Sequence, residues 1–173
     1  MEISYTTGDC SLGKLLVAAS RKGLCFVSIG NSEAGLERKL YDHFSGDTVT
    51  RSERKMRSML IDVKGRVEGK GLDKKLSLDL KGTPFQMDVW NEMLRIPAGS
   101  TRSYGEVAKR IGRPKAFRAV AQACGANPVA VVVPCHRVVA AGGALGGYGL
   151  GLDRKISLLE SEGVRNPKWA ADG

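Results

Sequence analysis

Apolar and polar positions divide the chain into a first part patterned mainly as strands and a second part patterned mainly as helices. Residues 12–19 and 23–29 are apolar, strand-like runs separated by Ser20-Arg21-Lys22, the spacing of a hairpin. Asn31-Ser32 then precede a stretch in which Leu36, Leu40 and Phe44 recur every four residues, which predicts a helix over 34–44. A weaker helical stripe, Met56, Met59, Leu60 and Val63, runs through 51–64. Residues 65–75 hold three glycines and no apolar period, so a loop is expected there. Leu76-Ser77-Leu78-Asp79-Leu80 alternates strictly and predicts a strand that closes a first domain near residue 82.

Helical spacing dominates from there on. Thr83-Pro84 is a cap followed by a helix-starting proline, with Val89, Trp90, Met93 and Leu94 as the inward positions of a helix over 85–95. Pro97-Ala98-Gly99 breaks it. Ser103, with Glu106 three positions on, forms a capping box for a helix over 104–111. Gly112-Arg113-Pro114 turns the chain into a helix over 115–124, which ends at Gly125-Ala126-Asn127-Pro128. Two short helices joined by about three residues have the dimensions of a helix-turn-helix. They fit an ordinary helical hairpin as well, its alanines packed on neighbouring helices. Residues 129–133 read by composition as a buried strand. Asp153 is the expected cap of a last helix over 154–162, with Leu158 and Leu159 facing inward.

Composition narrows the class. The 173 residues are 42% hydrophobic and 26% charged, the balance of a folded globular protein. The longest apolar run, 129–133, is far short of the ~20 residues of a membrane span. The first residues lack the basic-then-apolar pattern of a secretion signal, so a cytoplasmic protein is expected. A net charge of +9, spread over both halves, favours a polyanionic partner and tips the helix pair toward DNA. Cys10, Cys25, Cys124 and Cys135 form no CxxC pair, which argues against a disulfide framework. Cys10 and Cys25 sit among apolar residues like small buried hydrophobes. With His43 they show no zinc spacing, and no metal is expected.

Cys135 stands apart. Pro134 ends the valine run and pins the backbone at the cysteine, and His136 and Arg137 make an electropositive setting of the kind that lowers a thiol pKa. Neighbours on an extended backbone point to opposite sides, so a water bridge from His136 to the thiol fits better than direct contact. Gly142, Gly143, Gly146, Gly147, Gly149 and Gly151 surround Tyr148, which suits tight turns or close approach to a flat ligand. Glu162 falls at a helix C-terminus, where a carboxylate is disfavoured by the helix dipole, and a histidine is the natural partner to hold it there.

The stretch Val133-Pro-Cys-His-Arg-Val138, the Gly147-Tyr148 loop, Ser103-Tyr-Gly-Glu106 and Arg118-Ala-Val120 resemble the O6-alkylguanine-DNA alkyltransferases. The resemblance runs from Thr83 to Gly163. It continues weakly through Asp9-Cys-Ser-Leu-Gly13 and Gly23-Leu-Cys25, which are similar to Ada-type and Ogt-type bacterial members. It implies an α/β N-terminal domain with a ribonuclease H-like small sheet (1–82), and a mainly α C-terminal domain with a helix-turn-helix that binds DNA and accepts the alkyl group (83–173). Cys135 would take the alkyl group from guanine O6 in duplex DNA in one irreversible transfer. His136 would act through a water as its base, with Glu162 orienting His136. Tyr104 would help expel the nucleotide and protonate the leaving guanine, and Arg118 would fill the gap in the stack. Lys115, Ala119 and Gln122 would lie on the DNA-facing helix, in the minor groove. Asn127 would be the hinge before the active-site segment, and Pro134, Val138, Tyr148, Gly149 and Leu150 would shape the base pocket. No cofactor is implied, and a monomer suffices; O4-alkylthymine is left open as a second substrate.

Two departures set further expectations. Leu150 stands where the family commonly has a smaller glycine, so it should narrow the pocket mouth and favour O6-methyl over O6-benzyl groups. The chain has no cysteine-rich sensor segment of the kind found in full Ada proteins, so repair without transcriptional regulation is expected. The five basic residues from Arg51 to Lys64 fit a solvated helix face or a phosphate contact, and no motif in 1–82 suggests catalysis. Lesion sensing without repair is disfavoured because Cys135 is present. A Cys–His hydrolase is disfavoured by the adjacent Cys–His spacing and the helix pair.

Overall fold

The computed structural model describes residues 1–170, which pack as two units: Met1–Leu80 with Pro128–Val132, and Lys81–Asn127 with Val133 onward. In the first unit, β1 (Glu2–Cys10), β2 (Gly13–Ser20) and β3 (Gly23–Gly30) form an antiparallel meander. β4 (Thr48–Arg51) joins parallel to β1, giving the order β3-β2-β1-β4. Two helices, α1 (Glu33–His43) and α2 (Glu53–Val67), start at Ser32 and Ser52, whose hydroxyls accept from the backbone N–H three residues on. Leu15 to Ala18 are all buried because the sheet is covered on both faces. Ile3, Tyr5, Leu16, Ala18, Cys25 and Phe26 meet Leu36, Leu40 and Phe44 at the α1 side, while α2 packs on β1 and β2.

The hairpin and α1 lie where the pattern placed them, while α2 runs on to Val67, three residues into the expected loop. β1 and β4 were not expected, because polar Thr6, Thr7, Gly8 and Asp9 dilute the alternation that begins with Ile3 and Tyr5. The strand expected at 76–80 is only an isolated bridge, Leu24 to Leu78. That approach requires glycine at position 23: at φ +151°, a Cβ there would stand 2.4 Å from the Ser77 carbonyl oxygen. Cys25 is part of the sheet core, and His43 stacks edge-on against Phe44.

The valine run is corrected most. Residues 129–133 are buried but form no strand; Val129 makes one bridge to Val27, and the chain then folds on itself. Val131 has φ +73°, with Val132 N–H donating to the Ala130 carbonyl at 2.8 Å, so a β-branched residue sits at the centre of a tight three-residue turn. Pro134 follows at φ −84°, ψ 65°, an inverse γ-turn closed by Cys135 N–H to Val133 O at 2.8 Å. Burial on all sides explains the apolar composition; backbone pairing does not.

The second unit holds α3 (Pro84–Met93), β5 (Arg102–Ser103), α4 (Tyr104–Arg110), α5 (Phe117–Gly125), β6 (Val138–Val139), α6 (Leu152–Ser161) and α7 (Pro167–Ala170). Capping boxes open α3 at Thr83 and α4 at Ser103. Trp90 Nε1 donates to the Ala123 carbonyl at 2.8 Å and ties α3 to α5. β5 and β6 pair parallel, Arg102 with Val138 and Ser103 with Val139, which sets Tyr104 beside the segment after Cys135. The connection between α4 and α5, 111–116, is longer than expected: Ala116 is the N-cap, so Lys115 lies in the turn rather than in the helix. Likewise α6 starts after Gly151 (φ +100°), which leaves Asp153 inside its first turn instead of capping it. No helix among the described residues is long and apolar enough to cross a membrane.

Candidate active site

Cys135 opens a short turn of 3₁₀ type, Cys135–Arg137, rather than an extended segment. Asn127, just past α5, donates from Nδ2 to the Val133 carbonyl (2.8 Å) and to Cys135 Sγ (3.3 Å), so one amide fixes both the turn and the sulfur. Burial pushes the Cys135 thiol up; the Asn127 bond, the Lys155 charge and nearby backbone N–H groups act against it without reversing it. The resting group is therefore a protonated thiol. The lowered pKa expected from His136 and Arg137 does not arise, because both side chains turn to Glu162.

His136 is fully buried, and burial lowers its pKa, with the Glu162 carboxylate opposing. Its Nε2 lies 3.1 Å from Glu162 Oε2 and, facing a carboxylate, carries the proton. Nδ1 is then the acceptor nitrogen, and it is buried with no hydrogen-bond partner among the described residues. Arg137 grips the same carboxylate with Nε to Oε1 (2.8 Å) and Nη2 to Oε2 (2.7 Å), and Nη1 reaches the Ile96 carbonyl (2.7 Å). Desolvation pushes Glu162 up, but the hydrogen bonds from Arg137 and His136 outweigh it and hold the carboxyl at about 2. Its place at the C-cap of α6 is compensated by this arginine.

Lys155 completes the frame. Its side chain is fully buried, and Nζ donates to the carbonyls of Val138 (2.8 Å), Leu145 (2.6 Å) and Gly147 (3.0 Å). Burial brings its pKa down to about 8. The ammonium thus pins β6 to the glycine loop. Sequence reasoning missed both Lys155 and the clamp of Arg137. A signal for the lysine was present: Lys155 lies three and four positions before Leu158 and Leu159, on the inward stripe of α6.

These elements enclose a cavity of about 290 Å³ lined by Tyr104, Ala121, Cys124, Gly125, Cys135, Gly147, Tyr148 and Gly149. That is near the lower end of the ~300–1,000 Å³ spanned by small-molecule pockets. Burial raises the pKa of Tyr104 and of Tyr148, so both face the cavity as phenols, and the Tyr148 hydroxyl is buried without a partner among the described residues. Gly146, at φ +75°, lets the loop close on Tyr104: a Cβ there would lie 2.8 Å from the phenol oxygen. Cys124 shares the cavity, its thiol pushed up by burial to about 12.

The structure thus brings Cys135, His136, Glu162, Tyr104, Asn127, Tyr148 and Gly149 together, whereas Pro134 and Val138, expected to shape the base pocket, flank Cys135–Arg137 in the chain and are not among the residues lining the cavity. Leu150 is half-buried and is not among the residues lining this cavity; its carbonyl accepts from Arg154. Arg118 and Gln122 are exposed on α5 and Ala119 is partly buried beside them, while Lys115 is exposed in the preceding turn. Ala121, Cys124 and Gly125 also line the cavity and were not among the expected site residues.

The family described as 6-O-methylguanine DNA methyltransferase, DNA binding domain, matches residues 84–164, the stretch that carries every group of this site. A methylated-DNA–protein-cysteine methyltransferase of Methanosarcina acetivorans is 40% identical over 161 residues, covering 92% of this chain and 97% of that protein. The chain belongs to the methylated-DNA–protein-cysteine methyltransferase family. It is also 39% identical over 162 residues to the bifunctional transcriptional activator/DNA repair enzyme Ada of Escherichia coli K12. That match covers 94% of this chain but only 46% of Ada, so the chain spans about half the length of that relative. The crystal structure of Mycobacterium tuberculosis OGT in complex with DNA superposes with a TM-score of 0.75 at 36% identity, covering 94% of this chain and 92% of that one. The α/β fold, a small sheet with helices, is that of these methyltransferases.

Proposed function

We propose that this protein repairs DNA by a single irreversible transfer of the alkyl group from O6-alkylguanine in duplex DNA to Cys135. The observation that carries this reading is the burial of Cys135 on a 290 Å³ cavity, one residue from a histidine whose other neighbour is an ionised glutamate. The names of its relatives supply the reaction class. The thiol must lose its proton to attack, and neutral His136 offers Nδ1 as the acceptor, through one water. A positioned base of this kind contributes about 10²–10⁴-fold. The sulfur attacks the alkyl carbon, the S–C bond forms, and the C–O6 bond breaks with its electron pair going to guanine. The Tyr104 phenol gives its own proton to the leaving base and regains one from solvent once the base has left. His136, now charged, is stabilised by Glu162. The thioether has no route back to the thiol, so each molecule acts once.

A base stacked in a duplex cannot reach a buried sulfur, so the nucleotide must be extruded, which costs a few kcal/mol. In this reading Arg118, exposed on α5, fills the vacated stack from the minor groove, with Ala119 giving the helix a thin wall and Lys115 and Gln122 beside it. This reading takes α4 and α5 as a helix-turn-helix and 83–173 as the DNA-binding and alkyl-acceptor domain. It takes 1–82 as a ribonuclease H-like domain, in keeping with the order β3-β2-β1-β4. Every reacting group comes from one chain, which suits a monomer, and the four free cysteines suit the cytoplasm.

The test is the intact mass of the protein after incubation with a duplex bearing one O6-methylguanine. A stoichiometric gain of one CH₂, mapped to Cys135 and abolished in Cys135→Ala with DNA affinity kept, is the expected result. Tight binding with no mass change would leave a lesion binder, and repeated turnover would leave a hydrolase.

A further inference from the structure

Phe117 is the first residue of α5, and nearly half of its surface is exposed (48%). A single exposed apolar side chain is ordinary on a protein surface. Two features set this one apart. At helical spacing, Phe117 shares a stripe with Ala121, Cys124 and Gly125, at i, i+4, i+7 and i+8, and these three line the cavity. At 1.5 Å per residue, its Cα lies ~6 Å along the helix axis from that of Ala121, a rise of about two base steps. The second feature is its neighbour: the Arg118 guanidinium carbon sits 5.9 Å from the Phe117 ring centroid, so the cation and the ring form a preassembled pair on one exposed helix turn. The connection before them is basic, with Arg113 and Lys115 exposed, which complements a phosphate backbone.

We propose that Phe117 is an aromatic wedge that stacks on a duplex base beside the extruded nucleotide, on the cavity side of the space that Arg118 enters. The proposal rests on the reading that α5 meets DNA, and adds to it a second contact of different chemistry. Extrusion leaves the neighbouring base with a bare π-face. An arginine restores charge and hydrogen bonding there, whereas a ring restores stacking, which every base accepts whatever its sequence. The pairing with Arg118 holds the ring at that position before DNA arrives, so less side-chain freedom is lost on binding.

The experiment compares Phe117→Ala, Phe117→Leu and Phe117→Trp with the parent protein in single-turnover methyl transfer. Two substrates are used: O6-methylguanine placed in a duplex, and the free O6-methylguanine base, which needs no extrusion. Binding to a duplex with 2-aminopurine next to the lesion is followed by fluorescence. We expect Phe117→Ala and Phe117→Leu to slow duplex transfer by about 10-fold, within the range that stacking contacts lose on truncation. Phe117→Trp should hold near the parent rate, all four proteins should react alike with the free base, and 2-aminopurine quenching should follow ring size. Parent-like duplex transfer by Phe117→Ala overturns the proposal, as does an equal loss on both substrates, which would mark a structural role. Phe117→Leu matching the parent would overturn stacking in favour of a merely apolar contact. Should the parent transfer from neither substrate, the alkyl-transfer reading itself falls. The wedge is then judged by 2-aminopurine alone: unchanged quenching in Phe117→Ala overturns it, and lost quenching supports it.

Discussion

Arg137, Glu162 and Lys155 are buried charges on which the site depends, and Glu162 and Lys155 are satisfied in opposite ways. Glu162 has both oxygens taken by ionic or potentially ionic donors, so removing its charge leaves the Arg137 guanidinium buried without an anion. Glu162→Gln, which keeps the shape, is expected to destabilise the fold by about 3–5 kcal/mol, as breaking a buried pair does. It should also slow transfer by about 100-fold, because His136 loses the group that fixes its tautomer. Denaturant titration and single-turnover kinetics on the same sample check both. Lys155 has only carbonyls, so Lys155→Met strands three acceptors at once, at about 1–3 kcal/mol for each one left dry. A fall of at least about 2 kcal/mol is expected. The alkylation of Cys135 by a small haloamide should also need a higher pH, since the ammonium helps hold the thiol down. An unchanged pH profile would reduce Lys155 to a structural tie. Glu162 was legible in the sequence from its awkward position at a helix end. The inward place of Lys155, on one stripe with Leu158 and Leu159, was legible too, but its three carbonyl partners were not, because they come from other segments of the chain.

At the scale of elements, the glycine loop shows which of its residues lie close against the site. Gly142 and Gly146 share nearly the same backbone angle, φ +76° and +75°, yet a Cβ on Gly142 would meet nothing within 4 Å, whereas one on Gly146 would meet the Tyr104 phenol at 2.8 Å. Gly142→Ala is expected to cost only left-handed strain, ~1–2 kcal/mol, with transfer intact. Gly146→Ala should add a loss of transfer by displacing Tyr104. Comparing melting temperature with transfer rate in the two variants separates strain from positioning, and equal transfer rates would remove the loop from the control of Tyr104. The helices were readable because capping residues and a 3.6-residue period are local properties of α1, α3 and α4. The valine run was misread because an apolar sequence records burial and leaves the backbone path open. Val131 at φ +73° is a conformation that no propensity would assign to it.

For the whole molecule, the titrating groups of the site set the acid limit of stability. Burial lowers the pKa of His136, so the unfolded chain binds its proton first, near 6.5, and stability falls as pH drops below that value. Glu162 is held at about 2 against an ordinary 4.5. Its contribution is complete above about 4.5 and is lost as pH falls toward 2. Urea midpoints measured from pH 7 down to 3 are expected to decline in these two stages, and Glu162→Gln should flatten the lower one. A midpoint independent of pH would contradict the ionised pair. The net charge of +9 acts at this scale too, since it belongs to the summed surface and gives no single residue a role.

The sequence by itself determined the class of the chain, the starts of α1, α3 and α4, the sheet hairpin and the candidate reactive segment around Cys135, because these depend on residue type and short-range spacing. Tertiary structure alone decided that Arg137 and His136 share one carboxylate, that a lysine binds three carbonyls, and that β1 and β4 complete the sheet. It also decided that the cysteine rests as a buried thiol. Each of these outcomes depends on which groups meet across long stretches of chain and on how much water they lose when they do. Neither quantity is written in a local pattern, and together they convert a Cys-His pair from two neighbouring letters into a site with a defined proton arrangement.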